Sequence, residues 1–294
     1  MPEIIDSPRG VDLGVWLVDK PAGPTSHDIV ARVRRRVGRG VKVGHTGTLD
    51  PFATGLLVIV TGRATRLTPY LTAFTKRYTA RVQFGATSPT ADPEGPITPT
   101  GLPLPSADAV DAAVADLVGS SRQRVPAYSA VKVDGVALHR RARSGGAVET
   151  PERTITVLQA RRLASSDDGS WLDLDVTCSK GTYIRQLAVD LGETLGCGAY
   201  CSRLRRTAVG DLTVDDSVDP DEVPDRGYVN PVDALAGLPR RDLDETERRI
   251  VGHGGAVSWE GDGHPDTVML VADGRLVAIG AAVDAEIRPR VVLS

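Results

Sequence analysis

Cysteine is scarce: Cys178, Cys197 and Cys201 are the only three, and they form no paired Cys-x-x-Cys motif. An odd, unclustered set argues against a disulfide framework or a thiolate metal site and reads as small buried thiols. Long hydrophobic runs are missing too. No stretch of about eighteen uncharged apolar residues occurs, which argues against a membrane span. Residues Met1 to Gly10 are polar and lack the apolar region of a signal peptide. A cytoplasmic protein is expected. No Gly-x-Gly-x-x-Gly follows a strand pattern and no Gly-Lys-Ser/Thr loop occurs, so no dinucleotide or P-loop phosphate site is signalled. The acids of the polar loop around Thr87, Ser88, Thr90, Asp92 and Glu94 lack metal-ligand spacing. No cofactor and no metal are expected. Internal repeats, low-complexity tracts and heptads are also absent, so nothing argues for a coiled-coil assembly and a monomer is expected.

At 294 residues the chain is long enough to bury a full core and is expected to form two domains. Its most informative stretch is Gly44-His45-Thr46-Gly47-Thr48-Leu49-Asp50-Pro51, running on into Phe52-Ala53-Thr54-Gly55-Leu56-Leu57-Val58-Ile59-Val60. The first half gathers a carboxylate, an imidazole and two hydroxyls among glycines. The second half is apolar and β-branched, the pattern of a buried strand. Pro51 holds Asp50 toward extended geometry, so Asp50 is displayed from a stiff base rather than spent as a helix cap. Asp-Pro and Gly-Thr pairs are ordinary turn material, but the whole stretch is more specific than its parts.

It resembles the catalytic loop of the pseudouridine synthases, in the TruB branch that modifies the uridine of the tRNA TΨC loop. The resemblance runs from about Val15 to the C-terminus. Val15 to Val18 reads as a strand ahead of Lys20-Pro21-Ala22-Gly23-Pro24-Thr25-Ser26, a turn that matches the family's first motif. There the resemblance implies that Lys20 supports the loop or its phosphate. Ser26 is expected to cap a helix to about Val37, with Ile29, Val30, Val33 and Val37 inward. Arg32, Arg34, Arg35, Arg36 and Arg39 form its other face, either solvated or in contact with phosphate. Arg66 follows the apolar strand in a short helix, where it can reach an anion. Lys76 to Gly85 alternates as a half-buried strand, and its Tyr78-Thr79-Ala80 matches the motif whose Tyr stacks on the target base. Ser106 is expected to cap a second helix. Pro126-Ala127-Tyr128-Ser129-Ala130-Val131-Lys132 resembles a segment that packs beneath the site, which makes Tyr128 supporting structure. Arg140, Arg141 and Arg143 are a second basic cluster. Gly181-Thr182-Tyr183-Ile184-Arg185 matches the motif whose Arg pairs with the catalytic Asp, although helical periodicity alone places Arg185 off the apolar face. Ser202-Arg203-Leu204-Arg205-Arg206-Thr207 matches the motif whose Leu lines the base pocket.

The resemblance implies an α+β fold: a mixed, mainly antiparallel-sheet catalytic domain over 1–229 and a small β-rich, PUA-like RNA-binding domain over 230–294. It implies Asp50, Tyr78 and Arg185 as the catalytic set, with Lys20, His45, Arg66, Tyr183 and Leu204 binding the tRNA TΨC stem-loop. No obligate protein partner is implied. Asp-Gly at 273–274 between apolar runs signals a hairpin in the smaller domain. The net charge of −3 is unevenly spread: residues 1–80 carry twelve Lys or Arg against six acids, and residues 202–294 carry eleven against eighteen. Positive charge therefore gathers near the Asp50 loop, where phosphate contacts are useful.

The implied reaction moves uracil from an N1–C1′ to a C5–C1′ bond without redox change. It asks for an ionised carboxylate, a means of flipping the base out, and exclusion of water. An Arg185 guanidinium beside Asp50 is expected to lower its pKa. His45 is expected to fill vacated space or touch the displaced nucleotide, and Tyr78 and Leu204 to sandwich the base. Two other readings compete. One is a tRNA-binding or tRNA-folding protein without chemistry; the other is a nucleoside or sugar-phosphate enzyme, which would need a phosphate loop or a second catalytic carboxylate.

Overall fold

The computed structural model describes residues 4–5, 12–129, 132–133, 136–138 and 150–293. Arg140, Arg141 and Arg143, and Ala130 and Val131 of the expected supporting segment, lie outside the described residues. The main sheet is built from β1 (Val15–Lys20), β2 (Val43–His45), β3 (Thr54–Thr61), β4 (Lys76–Phe84), β5 (Gly119–Arg124), β6 (Glu152–Ser165), β7 (Trp171–Cys178) and β8 (Ala199–Val209). Their order is β1-β3-β8-β4-β7-β6-β5, with β2 on β3. The near-continuous apolar run of β3 is buried on both faces, as expected of a central strand. The alternating β4 buries every second residue.

Every pair along this path is antiparallel except β3 with β8, which are parallel where Arg205 faces Thr54 and Arg206 faces Gly55. The expected mixed, mainly antiparallel architecture is observed. At this junction Gly55 has φ +99°, and a Cβ there would sit 2.2 Å from the Arg206 carbonyl oxygen. Only glycine permits that approach. The loop that precedes β3 is thereby pinned to β8, in the middle of the sheet.

Helix α1 (Ser26–Val37) buries Ile29, Val30 and Val33 against Trp16, Leu57, Ile59 and Tyr78. Its cap is one residue earlier than expected. Thr25 accepts from the Asp28 N–H at 3.1 Å while Asp28 accepts from the Thr25 N–H at 2.8 Å, a complete capping box. Asp28 supplies the reciprocal bond that favours Thr25, and this frees the Ser26 hydroxyl for other use. After the turn of 3-10 helix over Gly62–Leu67 come α2 (Thr68–Ala73), α3 (Ala107–Asp116, capped by Ser106 as expected) and α4 (Ile184–Thr194). Helix α4 buries Ile184, Leu187, Ala188 and Leu191 as its periodicity implies, and Arg185 with them.

The tail forms a second, five-stranded sheet containing β9 (Val268–Ala272), β10 (Arg275–Val283) and β11 (Glu286–Val292), covered by α5 (Glu245–Gly252). Asp273 and Gly274, at φ +49° and +69°, make the expected hairpin turn. Its core does not end at a boundary. Met269, Val271, Leu276 and Ile279 pack in one cluster with Leu17, Leu56 and Val58 of the main sheet. Arg63 reinforces the join, donating to the Leu293 carbonyl at 2.6 Å. No helix among the described residues is long and apolar enough to cross a membrane.

Candidate active site

Three buried side chains fasten the Asp50 loop from below. The Lys20 ammonium, fully buried, donates to the carbonyls of Pro21 (2.9 Å), Pro51 (3.1 Å) and Ala53 (2.7 Å). The Ser26 hydroxyl, released from capping, donates to the Leu49 carbonyl at 2.9 Å and accepts from the Leu49 N–H at 2.8 Å. The Arg206 guanidinium donates to the carbonyls of Leu56 (2.7 Å) and Gly47 (2.9 Å). Lys20 thus sits where a loop support is expected. Ser26 and Arg206 lie inside matched motifs, but their hold on the loop was not legible, because the backbone carbonyls they bind come from elements distant in the sequence.

The loop presents Asp50 to Arg185, which reaches it from the first turn of α4. Arg185 Nη2 donates to Asp50 Oδ1 at 3.1 Å. Its Nε lies 2.9 Å from Oδ2, but the N–H is not aimed for a second hydrogen bond, so that contact is Coulombic. The same guanidinium donates through Nη1 to Asp92 Oδ2 (2.8 Å) and the Thr90 carbonyl (2.7 Å), and through Nη2 to the Tyr128 carbonyl (3.1 Å). Arg185 is 3% exposed and Asp92 2%. Two carboxylates therefore share one buried guanidinium.

Asp92 was not singled out from the sequence as a site residue, since its loop has the composition of an ordinary turn. Its Oδ1 accepts from the Thr90 hydroxyl at 2.6 Å and the Glu94 N–H at 3.0 Å. The preceding Ala91 sits at φ +62°, a conformation costing a non-glycine residue about 1–3 kcal/mol. That strain is held where Asp92 is positioned.

Arg185 lowers the Asp50 pKa as expected, but the net shift is upward. Burial is the largest influence and raises the Asp50 carboxyl above the ordinary carboxylate value; the like charge of Asp92 adds to it, against Arg185 and Lys20. Desolvation of the anion outweighs the single shared cation. A raised pKa means the ionised form is lost earlier on acidification. We therefore expect kcat/KM measured between about pH 4 and pH 8 to fall with unit slope through a pKa above the ordinary carboxylate value. In Asp92→Asn, removal of the like charge should move that limb of the remaining activity to lower pH. A wild-type limb at or below the ordinary value would show that Asp50 is not the titrating group.

A cleft of about 980 Å³ opens over this set, lined among others by Tyr78, Leu204, Lys76, Arg206, Tyr183 and His27, a volume within the usual range for ligand sites. Tyr78 pairs in register with Arg206, and Ala80 with Leu204. Tyr78 and Leu204 are thus diagonal neighbours on one face of the sheet. They form a shared floor rather than two opposed jaws. Tyr183 lies on the wall with the Arg153 guanidinium 5.3 Å from its ring centre. Buried Gln123 fixes the Tyr183 backbone with its side-chain amide, whose oxygen accepts from the Tyr183 N–H at 2.8 Å and whose nitrogen donates to the Tyr183 carbonyl at 3.0 Å.

His45 is not among the lining residues; His27 is, and their rings meet edge to face at 5.9 Å. Burial, with His27 and Arg206 nearby, pushes His45 down to about 4, so its ring is neutral at physiological pH. Arg66 is placed outside the cleft. Its guanidinium donates to the Val292 carbonyl of β11, because the short helix carrying it faces the tail. Among the described residues, no three His, Cys, Asp or Glu side chains converge as metal ligands.

Known proteins with this chain's features converge on one family. A model described as TruB family pseudouridylate synthase (N terminal domain) matches residues 34–184. A second, for the tRNA pseudouridylate synthase B C-terminal domain, matches 185–235. The tRNA pseudouridine synthase B of Thermobifida fusca is 44% identical, covering 96% of this chain and 98% of its own length. That of Cupriavidus metallidurans is 41% identical over 96% and 94%. Among solved structures, a chain of a Cbf5-Nop10-Gar1 complex superposes with a TM-score of 0.75 at 25% identity, covering all of this chain and 91% of its own.

Proposed function

We infer the reaction from the family: this chain belongs to the TruB family of pseudouridylate synthases, and it isomerises uridine to pseudouridine in tRNA, at the TΨC-loop uridine. The observation that carries this reading is the Asp50–Arg185–Asp92 group at the floor of the cleft. A protein that only binds or folds tRNA has no need of a buried guanidinium shared between two carboxylates, one of them half open to the cleft. The nucleoside-enzyme reading needs a phosphate loop, which the sequence does not signal, or a second working carboxylate beside Asp50. Asp92 does not offer one, since both its oxygens are occupied by protein donors.

The target uridine leaves its loop and enters the cleft, at a cost of about a few kcal/mol. Its base rests on the Tyr78 ring beside Leu204; stacking on an aromatic ring is worth roughly 1–3 kcal/mol. As the N1–C1′ bond breaks, positive charge grows at C1′, and the ionised Asp50 carboxylate meets it. Uracil turns and rejoins through C5. The C5 proton leaves and N1 is protonated, so composition is unchanged and no external reductant or oxidant is consumed. Arg185 keeps Asp50 charged and oriented, Lys20 keeps the loop in place, neutral His45 fills space near the vacated position, and Tyr183 walls the cleft.

We assign 1–229 as the catalytic domain and 230–294 as a PUA-like RNA-binding domain, on the strength of the separate tail sheet. The enzyme acts as a monomer on cytoplasmic tRNA; every group of the catalytic set comes from one chain. The test is to incubate purified protein with an unmodified tRNA transcript, without added metal or cofactor, and map pseudouridine chemically. Modification at the TΨC-loop uridine is expected. Tight binding with no pseudouridine would give the lead to the binding and folding role.

A further inference from the structure

We propose that a second groove, on the turn between α1 and β2, binds the phosphate backbone of the substrate RNA a few nucleotides from the flipped uridine; this rests on the functional reading above. The arginines of α1 do not form one basic face. Arg32 Nε lies 3.5 Å from Asp221 Oδ1, and Arg36 pairs with Asp225 while its Nε donates to the Val223 carbonyl at 2.6 Å. These two, one helical turn apart, are neutralised by an acidic segment that crosses the helix. The others are left facing a depression of about 1010 Å³, lined by Arg34, Arg35, Arg39 and Lys42 and reaching Gly44.

All four cations are exposed, and among the described residues none forms an ion pair with a carboxylate, although Arg34 donates to the Val43 carbonyl at 3.3 Å. The helix dipole accounts for cations in the last turn of α1, but Arg39 and Lys42 lie beyond the helix end. Four unpaired cations around one depression select a polyanion, and the planar guanidinium fork suits phosphate oxygens. The groove is close to the chemistry. From Lys42 through β2 to Gly47 on the cleft wall is five residues, at most about 18 Å of chain. A nucleic acid strand covers that in about five nucleotides. That separation is short enough for one RNA strand to reach from cleft to groove.

The test compares two double variants with the same change in net charge, using tRNA transcript and full-length protein. Arg35→Gln with Arg39→Gln should raise KM about tenfold at about 0.1 M salt, leave kcat within about twofold, and reduce the slope of log affinity against log salt by about 1.5. Arg32→Gln with Arg36→Gln should change KM less than about twofold, because those charges are already spent on Asp221 and Asp225. Equal effects from the two pairs would mean only bulk charge matters and would overturn the groove. Unchanged KM and slope in the first variant would overturn it too. Should wild type make no pseudouridine, the functional reading fails by itself, and direct titration of labelled tRNA with the same variants still decides the groove.

Discussion

Asp50→Asn is expected to lose isomerisation by about 10⁴-fold or more in kcat while its Kd for tRNA stays within about tenfold of wild type. The amide keeps the shape and removes the charge that the proposed mechanism places against C1′. The scaffold survives the change because Arg185 keeps Asp92 and the Thr90 and Tyr128 carbonyls as partners. The sign of the stability effect follows from the carboxyl's raised pKa. A group whose folded pKa lies above its unfolded value destabilises the fold at pH values above both, where it is ionised in either state. The Asn variant should thus melt at the same temperature as wild type or slightly higher at neutral pH. Single-turnover pseudouridine mapping beside a melting curve checks both halves. Turnover within about tenfold of wild type would remove Asp50 from the chemistry.

Arg185→Lys is expected to lower kcat by at least about 10²-fold, and unlike the Asp50 variant it should also lower stability. One guanidinium spans two carboxylates and two carbonyls in different directions. An ammonium has three donors on a single atom and cannot bridge that set. Whichever carboxylate loses contact is left in a desolvated site, and breaking a buried ion pair costs about 3–5 kcal/mol. Asp92, at 2% exposed, has no water to turn to. Urea unfolding and single-turnover rates on the same preparation separate the two losses. A variant with normal rate would mean that Asp50 needs no guanidinium to stay ionised.

Parts of this site were legible because they are local. The glycines and Asp-Pro around Asp50, the alternation around Tyr78 and the apolar face of α4 are properties of short windows. Even there, the capping residue shifted from Ser26 to Thr25 because one reciprocal hydrogen bond to Asp28 outweighed the similar propensities of Ser and Thr. The position of Arg185 shows the limit of periodicity. A residue beside a core position reads as surface unless a polar interior waits for it, and that interior is made by Asp50, Asp92 and two carbonyls from other elements. Arg66 failed in the opposite direction: a free-looking arginine is engaged by the last strand of the tail.

The amino-acid sequence by itself determined the sheet-rich architecture, the stiff loop that displays Asp50, the strand that carries Tyr78 and the family to which these motifs belong. Each depends on spacing and residue type along a few neighbouring positions. Tertiary structure alone decided that Asp92 shares the guanidinium, that Tyr78 and Leu204 make one floor, that burial outweighs Arg185 in setting the Asp50 carboxyl, and which α1 arginines have a carboxylate partner. Desolvation and Coulomb interactions depend on every group brought within a few ångströms. Those groups come from strands, loops and helices far apart in the chain.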